Sequence, residues 1–146
     1  MKLRFIWVGK TRSAPAKEMI LDYAGRVGHY ARVEMVELRD RDIEKESEEI
    51  LSRTASGSFI VVADERGRDM SSREFAELIE KHRLAGTRWM TFILGGHAGV
   101  SDRVRRQADL LLCLSPMTLT HEMARVVLME QVYRAFTIIH DLPYQK

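Results

Sequence analysis

The chain has 146 residues, 45% of them apolar and 30% charged, with a formal net charge of +2. That length holds one ordinary domain with a substantial core rather than two, and no apolar run approaches the ~20 residues of a membrane-spanning helix. Cys113 is the only cysteine, which excludes a disulfide framework or a cysteine metal cluster and suits a reducing cytoplasm. In chain order, "KLRFIWV" (2–8) reads as a strand, being too short and too soon polar for a signal peptide. A helix follows from about Ala14 to Val27, then the alternating strand "VEMVEL" (33–38). "DIEKESEEILSRT" (42–54) is a charged helix anchored by Ile43, Ile50 and Leu51, and "SFIVVAD" (58–64) is a buried strand. "SSREFAELIEKHRLAG" (71–86) has serine caps at its start and Gly86 as its stop. The strand "WMTFIL" (89–94), the short helix "SDRVRRQA" (101–108) and the strand "DLLLCLS" (109–115) come next. A final helix runs from about Thr120 to Ile139.

Five successive βα units predict an α/β fold: a mostly parallel sheet with helices on both faces, as a single domain over 1–146. In such sheets ligands sit beyond the carboxyl ends of the strands. Three of those ends carry unusual residues: "ADERG" (63–67), "LGGHAG" (94–99) and "LSPMTLTHEM" (114–123).

Several chemistries are excluded. Gly9 stands alone after the first strand, so the dinucleotide fingerprint is absent, and there is no Walker glycine loop and no G-x-S-x-G elbow. "HEMAR" (121–125) begins like a zinc-protease helix but ends in Arg125, so no metal is expected. Asp64 either imitates a phospho-acceptor aspartate or caps its loop. What remains is a ligand cradled by backbone: "LSPMTLT" (114–120) offers consecutive main-chain groups, with Leu114, Met117 and Leu119 able to flank a flat ring such as adenine.

The combination "ILGGHAG", "LSPMTLTHEMARVVLMEQVYRAF" and the tail "PYQK", with the opening "MKLRFIWVGK", resembles the RlmH family of SPOUT methyltransferases over essentially the whole chain. The resemblance implies a SPOUT-type, trefoil-knotted methyltransferase fold acting as a homodimer. It implies S-adenosyl-L-methionine as cofactor and N3 of a pseudouridine in 23S rRNA, on the assembled ribosome, as methyl acceptor. By the same resemblance Ala63, Gly95, Gly96, Leu114, Ser115, Pro116, Met117, Thr118 and Leu119 match the cofactor-binding positions. Thr120 stands where the family often has proline, a change expected to be mild.

No general base is assigned. His121, Arg125, Tyr144 and Lys146 are the candidates for the RNA side, Tyr144 and Lys146 because they match the family's tail. Arg125 either meets a phosphate or pairs with Glu122 or Glu130; Arg134 is open in the same way, and Arg103 and Arg106 either grip phosphates or lie solvated. Gln145 replaces the family's usual histidine. That substitution leaves room for a non-catalytic RNA- or ribosome-binding relative; a methyltransferase of another RNA is a further alternative. The last helix is apolar over more than one face, which points to dimerisation. The glycine pair is expected to leave room for the cofactor, so that valine at Gly95 excludes it while the fold survives.

Overall fold

The chain is described by a computed structural model covering residues 1–145; the tail candidate Lys146 and the side chain of Gln145 lie outside the described residues. Five strands, β1 (Lys2–Val8), β2 (Arg32–Leu38), β3 (Phe59–Asp69), β4 (Trp89–Leu94) and β5 (Leu110–Cys113), form one sheet in the order β2-β1-β4-β3-β5. Every pairing is parallel. Parallel strands in the middle of a sheet need cover on both faces, and the sequence supplies it by period-two alternation. Leu3, Phe5 and Trp7 of β1 face one core, with Phe5 stacked on Phe92 at 5.1 Å between centroids. Ile6 and Val8 face the other.

Helices α1 (Ala14–Val27), α3 (Ser72–Leu84) and α5 (His121–Ile139) cover the first face through Ile20, Phe75, Ile79, Met129 and Phe136. The second face is closed by α2 (Ile43–Arg53) and α4 (Asp102–Arg106) through Ile50 and Val104. Each helix begins at a side-chain cap. Ser71 and Glu74 form a reciprocal capping box on α3, and Thr120 caps α5 by accepting from the Met123 amide at 3.3 Å. Threonine thus makes a hydrogen bond here that proline cannot.

One strand differs from expectation. β3 does not end at Asp64: the residues between Ala63 and Arg68 leave the ladder on β5, and pairing resumes at Arg68 and Asp69. "DERG" is locally a turn, and only a waiting partner strand lets the chain return to the sheet. Gly67 permits the return, because a Cβ there would lie 2.6 Å from the Leu111 carbonyl carbon. α5 differs in another way: it lies between α1 and α3, and most of its surplus apolar side chains are buried within this one chain. Exposed large apolar residues remain at Met19 of α1 and Met123 of α5.

Candidate active site

The strand order sets β4, β3 and β5 side by side, so their carboxyl-end loops converge. Between them lies a cleft of about 740 Å³ whose lining includes Ala63, Asp64, Gly96, Arg105, Leu119 and His121. A smaller recess of about 170 Å³ adjoins it, lined by Ala63, Leu114, Ser115, Met117, Thr118 and Leu119 among others. Of the positions matched to cofactor binding, seven line these two spaces; Gly95 and Pro116 do not.

Gly95 has a different task. A Cβ at that position would overlap the carbonyl group of Gly99. The loop folds back on itself as an antiparallel bridge between Gly96 and Gly99, with the Gly99 amide donating to the Gly96 carbonyl at 3.0 Å and Gly99 at φ +73°. A Cβ at Gly96 would press on Val8 Cγ1 at 3.0 Å. Gly95 and Gly99 are therefore required by the loop's own closure, whereas Gly96 is set by its packing on β1. This overturns the expectation that valine at Gly95 would leave the fold intact.

Asp64 caps its turn rather than offering a free carboxylate. One oxygen accepts from the Arg66 amide at 2.9 Å, and the other takes the Arg105 guanidinium at 2.5 Å, with the Asp64 side chain only 4% exposed. Burial works to raise the Asp64 carboxyl, but the hydrogen bonds and charges of Arg105 and Arg66 outweigh it and hold it below the usual carboxylate range. Arg105 also bonds Asp102 at 2.9 Å within α4, and its bond to Asp64 ties that helix to the bulge of β3. No local pattern announces the Asp64–Arg105 pair, because its members are 41 residues apart and meet only through the sheet.

The 114–119 loop is held by its own groups. The Met117 amide donates to Ser115 Oγ at 3.0 Å, and the Cys113 thiol, its pKa raised by burial, donates to the Ser115 carbonyl at 3.1 Å. Among the described residues, the amides of Ser115, Thr118 and Leu119 donate to no other main-chain group. Unspent donors beside half-buried Leu114 and Leu119 form a slot with a polar edge and apolar walls. This donor set suits an adenine ring. Among the described residues no three His, Cys, Asp or Glu side chains stand together as a metal site, and no helix is long and apolar enough to cross a membrane.

The RNA-side candidates separate. His121 is exposed at the start of α5, where it borders the cleft. His97, which no motif or spacing in the sequence distinguishes, borders it from the glycine loop. Arg125 reaches neither a phosphate nor a glutamate: it is fully buried and donates to the Val8 carbonyl at 2.6 Å and to Thr11 Oγ1 at 2.8 Å. Burial pulls its pKa down against the nearby charges of Glu37 and Glu122. Glu122 instead accepts from the Arg12 and Ser13 amides, and Glu130 pairs with Arg134 at 2.5 Å. Arg103 and Arg106 are exposed on α4.

Tyr144 lies in a 3-10 turn (Pro143–Gln145) folded back on α5. Its hydroxyl donates to Glu130 at 3.1 Å and lies 3.3 Å from that of Tyr23. Burial, the Tyr23 hydroxyl and the Glu130 charge raise its pKa well above the usual phenol range. Glu130 is nine residues from His121, about 13 Å along a helix, so within one chain Tyr144 and His121 occupy different places.

A family described as predicted SPOUT methyltransferase matches residues 1–145. The chain is 43% identical to ribosomal RNA large subunit methyltransferase H of Trichlorobacter lovleyi over 151 residues, covering 99% of each. It is likewise 43% identical to the protein of that name from Geobacter sulfurreducens, again covering 99% of each. In fold it is similar to a crystal structure of a probable methyltransferase from Bordetella pertussis Tohama I, with a TM-score of 0.54 and 15% identity, covering 92% of this chain and 95% of that one. The βα order, the three converging loops and this full-length similarity agree: the chain belongs to the SPOUT methyltransferases, in the family of the ribosomal RNA large subunit methyltransferases H.

Proposed function

We propose that this protein methylates N3 of a pseudouridine in 23S rRNA of the assembled ribosome, with S-adenosyl-L-methionine as methyl donor. The observation that carries the proposal is the slot at 114–119, with its free amides, opening on a cleft bordered by His97 and His121, in a chain whose relatives carry that rRNA methyltransferase name. When bound, the cofactor supplies a methyl group on a sulfonium centre. Ser115, Thr118 and Leu119 would bind its adenine by main-chain groups, with Leu114, Met117 and Leu119 as walls and Ala63 and Gly96 as floor. Gly95 acts through the loop that carries Gly96.

Methyl transfer is an in-line displacement, so fixed positions contribute much of the rate. The acceptor N3 must also give up its proton. His97 and His121 are the imidazoles on the rim able to hold it.

The same reading includes a trefoil knot, a cytoplasmic location and a homodimer. Met19 and Met123, 45% and 47% exposed, offer the helical layer an apolar contact for a second copy. A dimer also reconciles an RNA role for Tyr144 with its distance from His121 in its own chain. The test is mass spectrometry of rRNA from a strain lacking this protein, with and without the gene restored. A methylated pseudouridine should vanish and return; its persistence in the deleted strain would sink the proposal.

A further inference from the structure

A second and larger cleft, about 930 Å³, lies beyond the carboxyl ends of β1 and β2. It meets the first at His97 and His121, which line both. Its basic side chains are Lys10 and Arg12, from the loop after β1, and Arg39, after β2; all three are exposed. Among the described residues none of the three has an ion-pair partner. The lining holds as many carboxylates, Glu37, Asp40 and Glu122, and none of them is ion-paired with these cations. Glu37 turns its charge onto the Thr11 amide at 3.2 Å and Glu122 onto the Arg12 and Ser13 amides, which leaves the Lys10, Arg12 and Arg39 side chains open to a ligand.

The backbone of the loop that carries Lys10 and Arg12 is pinned on both sides of Lys10. Gly9 takes φ +85° and its amide donates to the Leu38 carbonyl at 2.8 Å. Arg125, buried beneath, holds the Val8 carbonyl and the Thr11 hydroxyl. Glu37 holds the Thr11 amide, and Glu122 holds those of Arg12 and Ser13. A loop fixed this firmly loses little further freedom when its cations meet a ligand.

We propose that this cleft takes the phosphate backbone flanking the target nucleotide, so that the RNA crosses from Arg39 and Lys10 towards His97 and His121 and the base enters the methyl-transfer cleft from the β1–β2 side. The inference rests on the function proposed above. Unpaired cations in an open groove, two of them carried on a fixed backbone, suit a chain of phosphates, which a protein reads without base contacts.

The test uses the full-length protein with Lys10→Gln, Arg12→Gln and Arg39→Gln combined, and Arg53→Gln with Arg88→Gln as a control, since Arg88 precedes β4 at the opposite end of the sheet. The triple variant should bind S-adenosylmethionine as the parent does and keep kcat within about threefold, but raise KM for ribosomes at least about tenfold. Its log–log salt slope for ribosome binding should flatten by about two, near 0.7 per lost phosphate contact. The control should change neither. If the triple variant melts early, Arg39→Glu alone, away from the pinned loop, should still raise KM. Parental KM and salt slope in these variants, while the parent methylates ribosomes, would overturn the inference. A binding defect that vanishes on protein-free rRNA to which the parent still binds would also overturn it, because the cleft would then contact a ribosomal protein. Should the parent itself fail to methylate ribosomes, the proposed function fails instead.

Discussion

Arg125 and Val8 are 117 residues apart in sequence, yet the buried guanidinium donates to the Val8 carbonyl at 2.6 Å and passes 5.4 Å from the Trp7 ring. One side chain of α5 thus fixes the end of β1 and, through Thr11, the loop beyond it. Lysine has a single ammonium in place of the planar fork. Arg125→Lys should cost about 2 kcal/mol, lowering Tm by roughly 4–8 °C in a scanning melt. An unchanged Tm would show that the fork is dispensable.

Alanine at Gly95 should disrupt the 95–99 loop, because its Cβ meets the Gly99 carbonyl. Alanine at Gly96 meets only the end of Val8, which can shift. Gly95→Ala should therefore lose at least about 2 kcal/mol of stability and most cofactor affinity, with Gly96→Ala well behind. Calorimetry on both variants separates the two; equal behaviour would contradict the loop-closure account.

Asp64, held below its usual pKa in the folded chain, contributes stability that is complete above the unfolded value near 3.9. That contribution is lost as pH falls through the lowered folded value. Asp64→Asn should lose about 1–2 kcal/mol at pH 7, Arg105 keeping Asp102 as a partner. The gap between variant and parent should close as the pH drops below about 4. A gap that stays constant down to pH 2 would assign the loss to something other than charge.

Glu46 has the opposite sign. Burial, joined by Asp40, raises its carboxyl against the hydrogen bond from the Arg41 amide. Its ionised form is therefore a cost at neutral pH, and the cost is relieved as pH falls through the raised folded value. Glu46→Gln keeps an acceptor for Arg41 and should melt higher at pH 7, with the advantage shrinking in acid. Urea melts at two pH values read this directly.

The tail packs on α5 through Tyr144, whose ring lies 4.8 Å from that of Tyr133 and under Arg134. Deleting residues 143–146 should leave S-adenosylmethionine affinity nearly unchanged and cut ribosome methylation at least about tenfold, roughly 1.4 kcal/mol in the barrier. Gln145→His should hold or raise the rate. Normal turnover in the truncated protein would remove the tail from the reaction.

The element order was legible in the sequence almost to the residue. β1, α1 and β4 have the bounds that periodicity and caps predict, since these signals act over one or two turns of chain. The candidate positions at 63, 96 and 114–119 were legible through resemblance, and all of them but Pro116 line the two spaces. The tasks of Arg125 and Gly95 were not. A helix pattern places Arg125 on a face but cannot say that the end of a distant strand lies there with a carbonyl to satisfy. A glycine pair announces a close approach without naming what approaches, and here it is the loop's own Gly99. The return of β3 after Gly67 and the Asp64–Arg105 pair share the same cause. Each depends on which strands become neighbours in the order β2-β1-β4-β3-β5, and that order is set by packing of the whole sheet between its two helical layers, not by local chain preference.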